Sequence, residues 1–422
     1  MIEGERIRLD IHNILYAVNK LNKKLNNSSI LNKINKYEKK DLAFLMNVLL
    51  NTMRLHLHTH KIIKIYIKKK IRDHERILLQ SAITQIIFLD FKTYAVINCS
   101  VEIAKKLKIY HGLINASLKK ISQDKNRLKK IEIFYQDFPE WFKKKTDDLE
   151  TKEKNTFLKN FYKEPDLHIV FKNKNRLEKF NKKIIKTSDS SGFFLNKENI
   201  RKIKSYSDGD WWVQDFSSFF ALQNYMPRRK EDKILDACSA PGGKAFQILA
   251  KKREIILNDK SHSRILKLKT NLKRLRFNAK IINEDFLKFN EKQKYDFIII
   301  DAPCSSIGTI RKNPEIFFKK SSPDFNSLIK IQEKLLKKAA ILLNKEGLLL
   351  YMVCSFFKIE TKDQINKFLK KNHDFELHSF NFGSQNTDQS EIVDNNFMFT
   401  LPSKINGRSI DGFFAAYLKK II

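Results

Sequence analysis

Along the first 140 residues apolar side chains return every three to four positions. Ile7, Leu9, Ile11, Ile14, Leu15, Val18 and Leu21 show the spacing, and Leu42, Phe44, Leu45, Val48 and Leu49 repeat it. Such a period puts the apolar groups on one stripe of a helix. Glycine is sparse and no proline precedes Pro139, so nothing breaks long helices. The pattern predicts a compact all-α domain of five or more helices over 1–140. It loosens between 141 and 210. Here Pro139, Trp141, Pro165 and the β-like run Leu167, Ile169, Val170, Phe171 predict a small mixed α/β segment. From Trp211 onward the period alternates between two and 3.6. Strand-like runs fall at 233–236, 254–259, 280–282, 295–301 and 347–355, separated by helical stretches at 243–251, 261–277 and 324–343. That alternation predicts a parallel sheet with crossover helices, a doubly wound α/β domain over 211–422, with 412–418 as an edge strand.

Composition narrows the class. The 422 residues include 33 Phe and are 42% hydrophobic, enough to build packed cores and to exclude wholesale disorder. Four cysteines cannot form a disulfide framework, which points to a reducing compartment. No apolar run approaches the roughly 18 residues of a membrane helix. The start, Met1-Ile2-Glu3-Gly4-Glu5, does not resemble a secretory signal. The expectation is a soluble, cytoplasmic protein, monomeric and without a metal. His56, His58 and His60 lack a cysteine or carboxylate at ligand spacing and read as exposed helix-face histidines.

Charge adds a partner. Lysine and arginine number 82 against 47 acidic side chains, a net of +35 carried by every part of the chain rather than by one tail. A polyanion such as RNA is the functional reading. A Lys-, Asn- and Ile-rich composition from an AT-rich genome would give the same excess. The basic run at 172–186 reads equally as an RNA contact or a solvated face.

The candidate chemistry lies at the ends of the predicted strands. The first runs into Asp236-Ala-Cys-Ser-Ala-Pro-Gly-Gly-Lys244 and then a helix, a turn whose small residues let backbone approach a cofactor. Asp259 ends the second strand, 23 residues on, near the spacing at which an acid takes ribose hydroxyls. Asp285 ends the third, where it can accept from an adenine amino group. A phosphate-binding loop fails twice, at Cys238 and Ala245, and the dinucleotide G-x-G-x-x-G is absent. An adenosine cofactor without pyrophosphate fits better, with S-adenosylmethionine foremost. The fourth strand delivers Asp301-Ala-Pro-Cys304-Ser-Ser and the fifth Tyr351-Met-Val-Cys354-Ser. Two thiols and a carboxylate are thereby expected at one cleft. Carbon 5 of a pyrimidine is too weak a nucleophile to attack a sulfonium methyl. A thiolate added at carbon 6 activates it, Asp301 can support charge at the ring nitrogen, and a base must then remove the carbon 5 proton.

These motifs, with Val213-Gln214-Asp215 and Asp411-Gly412-Phe413-Phe414, resemble the RsmB/Sun family of RNA cytosine-5 methyltransferases over about 205–422. The helical region looks like the NusB-type domain of the RsmB branch by length, helicity and position. The resemblance implies a Rossmann-like methyltransferase domain and assigns roles. Cys354 would be the nucleophile and Cys304 would assist product release. Cys238, Ser239, Ala240, Pro241, Gly242, Gly243 and Lys244, with Asp259, Asp285 and Asp301, would hold S-adenosylmethionine. Arg311 and Lys312 would be RNA backbone contacts, and the substrate would be small-subunit ribosomal RNA in the bacterial cytoplasm. Other readings are a cytosine-5 methyltransferase of transfer RNA or another ribosomal site, a non-catalytic RNA-binding assembly factor, or a small-molecule methyltransferase. The chain has Val353 where the family usually has Thr. Of the family's Pro-Glu-Glu-Asn run it keeps only Glu360, within Lys358-Ile359-Glu360-Thr361.

Overall fold

The computed structural model describes residues 3–25, 27–195, 199–223, 229, 231–289, 293–380, 392–394 and 396–422. The chain forms two units. One comprises Met1–Asp147, Phe161–Lys163 and Ile310–Pro323; the other comprises Asp148–Asn160, Glu164–Thr309 and Asp324–Ile422.

The first unit is helical. Its main helices are Glu3–Asn19, Ser28–Asn35, Lys39–Arg54, His56–Tyr66, Asp73–Ile83, Thr93–Lys106 and His111–Gln123. The stripe Ile7, Ile11, Ile14, Leu15, Val18 is buried against Leu45, Val48, Leu49 and Met53, as the 3.6 period requires. Leu21 lies past the end of the first helix and is exposed. The excursion Ile310–Pro323 contributes Phe318 to this core, and Asn19 donates its side-chain amide to the Phe318 carbonyl. The histidines differ from the sequence expectation. His58 is buried among Phe88, Phe161 and Tyr162, and burial pulls its imidazole down to about 4. His56 and His60 are half-buried. The helix His56–Tyr66 turns two faces inward, so alternation with Leu57 did not mark a solvent face.

The second unit has two main sheets. In the smaller, β1 (His168–Phe171), β2 (Ile184–Ser188), β3 (Ser191–Phe194) and β4 (Trp211–Val213) are antiparallel in the order β2-β3-β1-β4. The larger holds parallel β5 (Ile234–Asp236), β6 (Ile256–Asn258), β7 (Lys280–Ile282), β8 (Tyr295–Asp301) and β9 (Leu343–Val353). It continues antiparallel with β10 (Phe375–His378), β11 (Val393–Asp394), β12 (Phe397–Thr400) and β15 (Phe413–Lys420), while β13 (Ser403–Ile405) and β14 (Arg408–Ile410) pair apart as a ribbon. The order β11-β12-β15-β9-β8-β5-β6-β7 places β15 inside the sheet, bonded to β9 and β12, with β10 also pairing it. The expected edge strand is therefore interior. The added strands come from 375–400, whose pattern is short and broken.

Both faces of the sheet are apolar. Phe297 and Ile299 pack on one side, Ile298 and Ile300 on the other. Leu348, Leu350, Met352 against Leu349, Tyr351, Val353 repeat this along β9, which is why these strands read as continuous apolar runs. Helices Gly243–Ala250 and His262–Leu275 cover the first face, Phe325–Leu342 and Lys362–Leu369 the second. Asp324 caps Phe325–Leu342, accepting from the Ser327 N–H at 3.1 Å. Chain direction of travel reverses between β5 and β8, and ligands of such sheets sit outside the strand ends at that switch.

One close approach ties the loop after β8 to β15. Gly412 N–H donates to the Gly308 carbonyl at 2.9 Å, and a Cβ built on Gly308 would lie 1.9 Å from the Gly412 oxygen. Gly308→Ala is expected to cost about 1–3 kcal/mol by overpacking against backbone. A thermal melt reads this as a lowered midpoint, and an unchanged melt contradicts the packing.

Candidate active site

The turn after β5 lies at the strand ends of that switch point. Gly242 holds φ +115°, a left-handed conformation that side chains resist, and a Cβ there would strike the Phe246 ring at 2.1 Å. Ser239 N–H donates to the Asn258 carbonyl at 2.8 Å, linking the turn to the end of β6. Gln214, 3.5 Å from the Cβ position of Gly243, is fixed by Trp212 and Gln247. Asp236 at the end of β5 is fully buried; one oxygen accepts from Cys238 N–H, and Oδ2 has no donor among the described residues. Burial, with Asp301 close by, pushes its carboxyl up to about 7, although Lys244 opposes the shift. Burial and the neighbouring carboxylates likewise push the Cys238 thiol up, so it is a packing group rather than a nucleophile.

The other two acids are partly occupied. Asp259 is buried and accepts from the N–H groups of Ala240 at 3.3 Å and Ser261 at 2.8 Å, with Arg264 Nη1 at 3.4 Å. Asp285 is half-buried, and one oxygen accepts from Leu287 N–H at 3.1 Å, capping the turn Phe286–Lys288. Strand ends at a switch point, a tight glycine turn and a buried carboxylate oxygen without a donor suit an adenosine cofactor carrying cationic groups.

Beside this turn β8 and β9 end together. Asp301 closes β8 and binds the Lys244 ammonium. Cys304 and Cys354 follow the two strands, both half-buried and unoxidised, with Sγ atoms 3.3 Å apart. The two thiols diverge electrostatically. Cys304, hydrogen-bonded to Cys354 and desolvated, is raised well above an ordinary thiol. Cys354 is lowered, because it receives the Cys304 hydrogen bond; Ser306 Oγ at 3.5 Å and the Lys244 charge assist, against burial and Asp301. Burial pulls the Lys244 ammonium down, but Asp301 together with Cys354 and Asp236 outweighs it, and the group is raised overall. Of the pair, Cys354 is the thiol biased toward thiolate and Cys304 the one biased toward keeping its proton.

Glu360 aligns the two loops. The residue is fully buried, and its carboxyl accepts from Ser305 N–H at 2.8 Å, Ser305 Oγ at 2.5 Å, Ser355 Oγ at 2.6 Å and Gln332 Nε2 at 3.2 Å. Ser305 follows Cys304 and Ser355 follows Cys354, so one side chain clasps the neighbours of both thiols. Tyr351 OH donates to the Glu360 carbonyl at 2.9 Å, and Gln332 Nε2 donates also to the Pro303 carbonyl at 2.9 Å. Sequence reasoning noted Glu360 only as the survivor of a family run; its signal was a lone acid beside two Cys-Ser pairs. Val353 is fully buried among apolar neighbours, where a β-branched residue suits the strand.

Arg311 does not serve the expected role. It is fully buried in the helical unit's Ile310–Pro323 segment, where its carbonyl accepts from Arg54 Nη2 at 3.1 Å. Burial puts the guanidinium out of reach of an RNA phosphate. Lys312 is exposed. Among the described residues no cluster of three or more His, Cys, Asp or Glu is arranged for a metal, and no helix is long and apolar enough to cross a membrane.

Lys244→Met removes the cation that favours the Cys354 thiolate. The midpoint of its iodoacetamide labelling against pH is expected to move up and the rate at pH 7 to fall; an unmoved profile contradicts the electrostatics. Glu360→Ala strands four donors, and is expected to cost more than about 2 kcal/mol. It should also raise the labelling midpoint as the thiols separate, whereas Glu360→Gln, whose partner hydroxyls can reverse, keeps more of both.

Two family models match the chain: the 16S rRNA methyltransferase RsmB/F family over residues 224–419 and the NusB family over 5–123. A ribosomal RNA small subunit methyltransferase B from Pasteurella multocida is 26% identical over 407 residues, covering 90% of this chain and 89% of that protein. The one from Photorhabdus laumondii is 34% identical over 213 residues, 49% of this chain and 46% of that protein, so this alignment spans about half of each. The solved structure of PH0851 superposes with a TM-score of 0.71 at 21% identity, covering 100% of this chain and 99% of that chain. NSun6 from Pyrococcus horikoshii with SFG gives 0.57 at 19% identity, covering 68% and 99%. At such identities the superpositions speak for the fold. The strand-end geometry falls within the first of these matches: residues 224–419 form an S-adenosylmethionine-dependent methyltransferase domain of the RsmB/F family, with a NusB-like domain over 5–123 on its N-terminal side.

Proposed function

We propose that this protein methylates carbon 5 of a cytosine in RNA, with small-subunit (16S-type) ribosomal RNA as its substrate. One observation carries the reading: two thiols 3.3 Å apart at neighbouring strand ends, one biased to thiolate and one to thiol, beside the candidate cofactor turn. A binding protein has no use for that division. The RNA substrate is supported by the names of the relatives and by a net charge of +35.

The turn from Cys238 to Lys244 would hold S-adenosylmethionine, with Asp259 at the ribose hydroxyls and Asp285 at the adenine amino group. The cofactor supplies an electrophilic methyl on a sulfonium. The target cytosine leaves its stack to reach the thiols. Cys354 Sγ forms a bond to carbon 6, and the ring's electrons move toward carbon 5, which takes the methyl. Asp301, bonded to the Lys244 ammonium, supports a proton at ring nitrogen 3 as density shifts. Cys304 then assists removal of the carbon 5 proton. That electron pair restores the 5,6 double bond and the Cys354–carbon 6 bond breaks.

Cys354→Ala is expected to abolish methyl transfer to a small-subunit rRNA transcript while cofactor affinity, read by calorimetry, stays within about twofold; retained turnover refutes the nucleophile. Cys304→Ala should accumulate a protein–RNA adduct that survives a denaturing gel, and normal turnover without adduct refutes its role. Bisulfite sequencing of the methylated transcript tests carbon 5 directly. Loss of protection at every cytosine despite methyl incorporation sinks the proposal.

A further inference from the structure

On the face of the large sheet covered by Phe325–Leu342 and Lys362–Leu369, the two helices border a groove of about 380 Å³. Five lysines rim it: Lys330, Lys334 and Lys337 on the first helix, Lys367 on the second and Lys371 just after it. The first three recur at i, i+4 and i+7, so they share one helix face over about 10 Å. All five are exposed, and only Glu333 is acidic among the lining residues. Glu333 pairs with Lys367, leaving the other four ammonium groups without a carboxylate partner among the described residues. Leu336 and Phe368 floor the groove from the core beneath. Lysine stems can lie along such apolar floors with their charges outward. Four uncompensated cations facing one depression repel each other and gain most from a ligand carrying regularly repeated negative charge.

The groove is also wired to the thiol loops. Gln364 lines it and donates to Gln332 Oε1 at 3.2 Å; Gln332 in turn bonds the Pro303 carbonyl and Glu360. We infer that this lysine groove is a docking surface for the phosphate backbone of the RNA substrate, separate from the thiol pair. The inference rests on the RNA-methyltransferase reading above and assigns a surface to it. Its lysines touch no reacting atom; they hold substrate, and act on affinity rather than on chemistry.

The test compares two triple variants of the full chain of equal charge change. Lys334→Gln/Lys337→Gln/Lys371→Gln empties the groove. Lys267→Gln/Lys269→Gln/Lys273→Gln neutralises exposed lysines of the helix His262–Leu275, which covers the opposite face of the sheet. Affinity for a small-subunit rRNA transcript is measured against salt concentration, with melts to verify folding. The groove variant is expected to bind ~10–100-fold more weakly at 0.1 M salt, with the log–log slope shallower by about 2, the value for three lost single-strand phosphate contacts. Single-turnover methylation at saturating RNA should stay within about twofold. Equal losses in both triples make the effect one of net charge and overturn the inference, as does no loss in either. Displacement of the wild type's RNA by a poly-glutamate peptide at matched charge also overturns it. Should the groove triple melt early, Lys334→Gln/Lys371→Gln gives the same comparison with a slope change of about 1.4. A wild type that neither methylates RNA nor binds it in a salt-dependent way fails the functional proposal itself, whatever the groove does.

Discussion

One buried carboxyl group, that of Glu360, holds together two loops separated by fifty residues of chain. Strand pairing alone brings β8 and β9 side by side, but parallel strands end in loops free to diverge. Four hydrogen bonds from Ser305, Ser355 and Gln332 close that freedom and fix the thiols at 3.3 Å. A carboxyl so placed is costly to bury unless every lone pair is used, and here two oxygens serve four bonds. The arrangement ties the stability of this end of the sheet to the register of its reactive groups.

The same economy governs charge. Lys244 is the cation shared by Asp301, Asp236 and Cys354, and it descends from the candidate cofactor turn. Binding a ligand with its own positive charge near Asp236 would favour the ionised form of a carboxyl now held near neutrality. The thiol pair shows the complementary device. A hydrogen bond between two like groups pushes one toward the proton and the other away from it, so two cysteines of equal intrinsic chemistry are shifted in opposite directions.

Immediately after the Cys304 loop the chain leaves the sheet unit and lends Ile310–Pro323 to the helical one. Phe318 is a core residue there and Arg311 is buried. A basic residue next to a candidate site motif is therefore no guide to substrate contact; what counts is the side to which its backbone turns. The exposed cations of the groove between Phe325–Leu342 and Lys362–Leu369 make the converse point, since their positions look like any other lysine-rich helix in a chain with 82 basic side chains.

The sequence by itself determined the helical and doubly wound halves, because apolar period is a local property: Ile7 to Val18 and Phe297 to Ile300 are buried as their spacing requires. It also determined that Asp236, Asp301, Cys304 and Cys354 lie at strand ends, since motif and strand are contiguous. Only the tertiary structure decided what depends on partners distant in the chain. The interior place of β15 follows from strands at 375–400 too short to announce themselves, and the burial of His58 and Arg311 follows from neighbours no spacing reveals. The opposite bias of the two thiols, and the clasp by Glu360, are products of distances of about 3 Å across fifty residues, and hydrogen bonds of that reach leave no trace in a one-dimensional pattern.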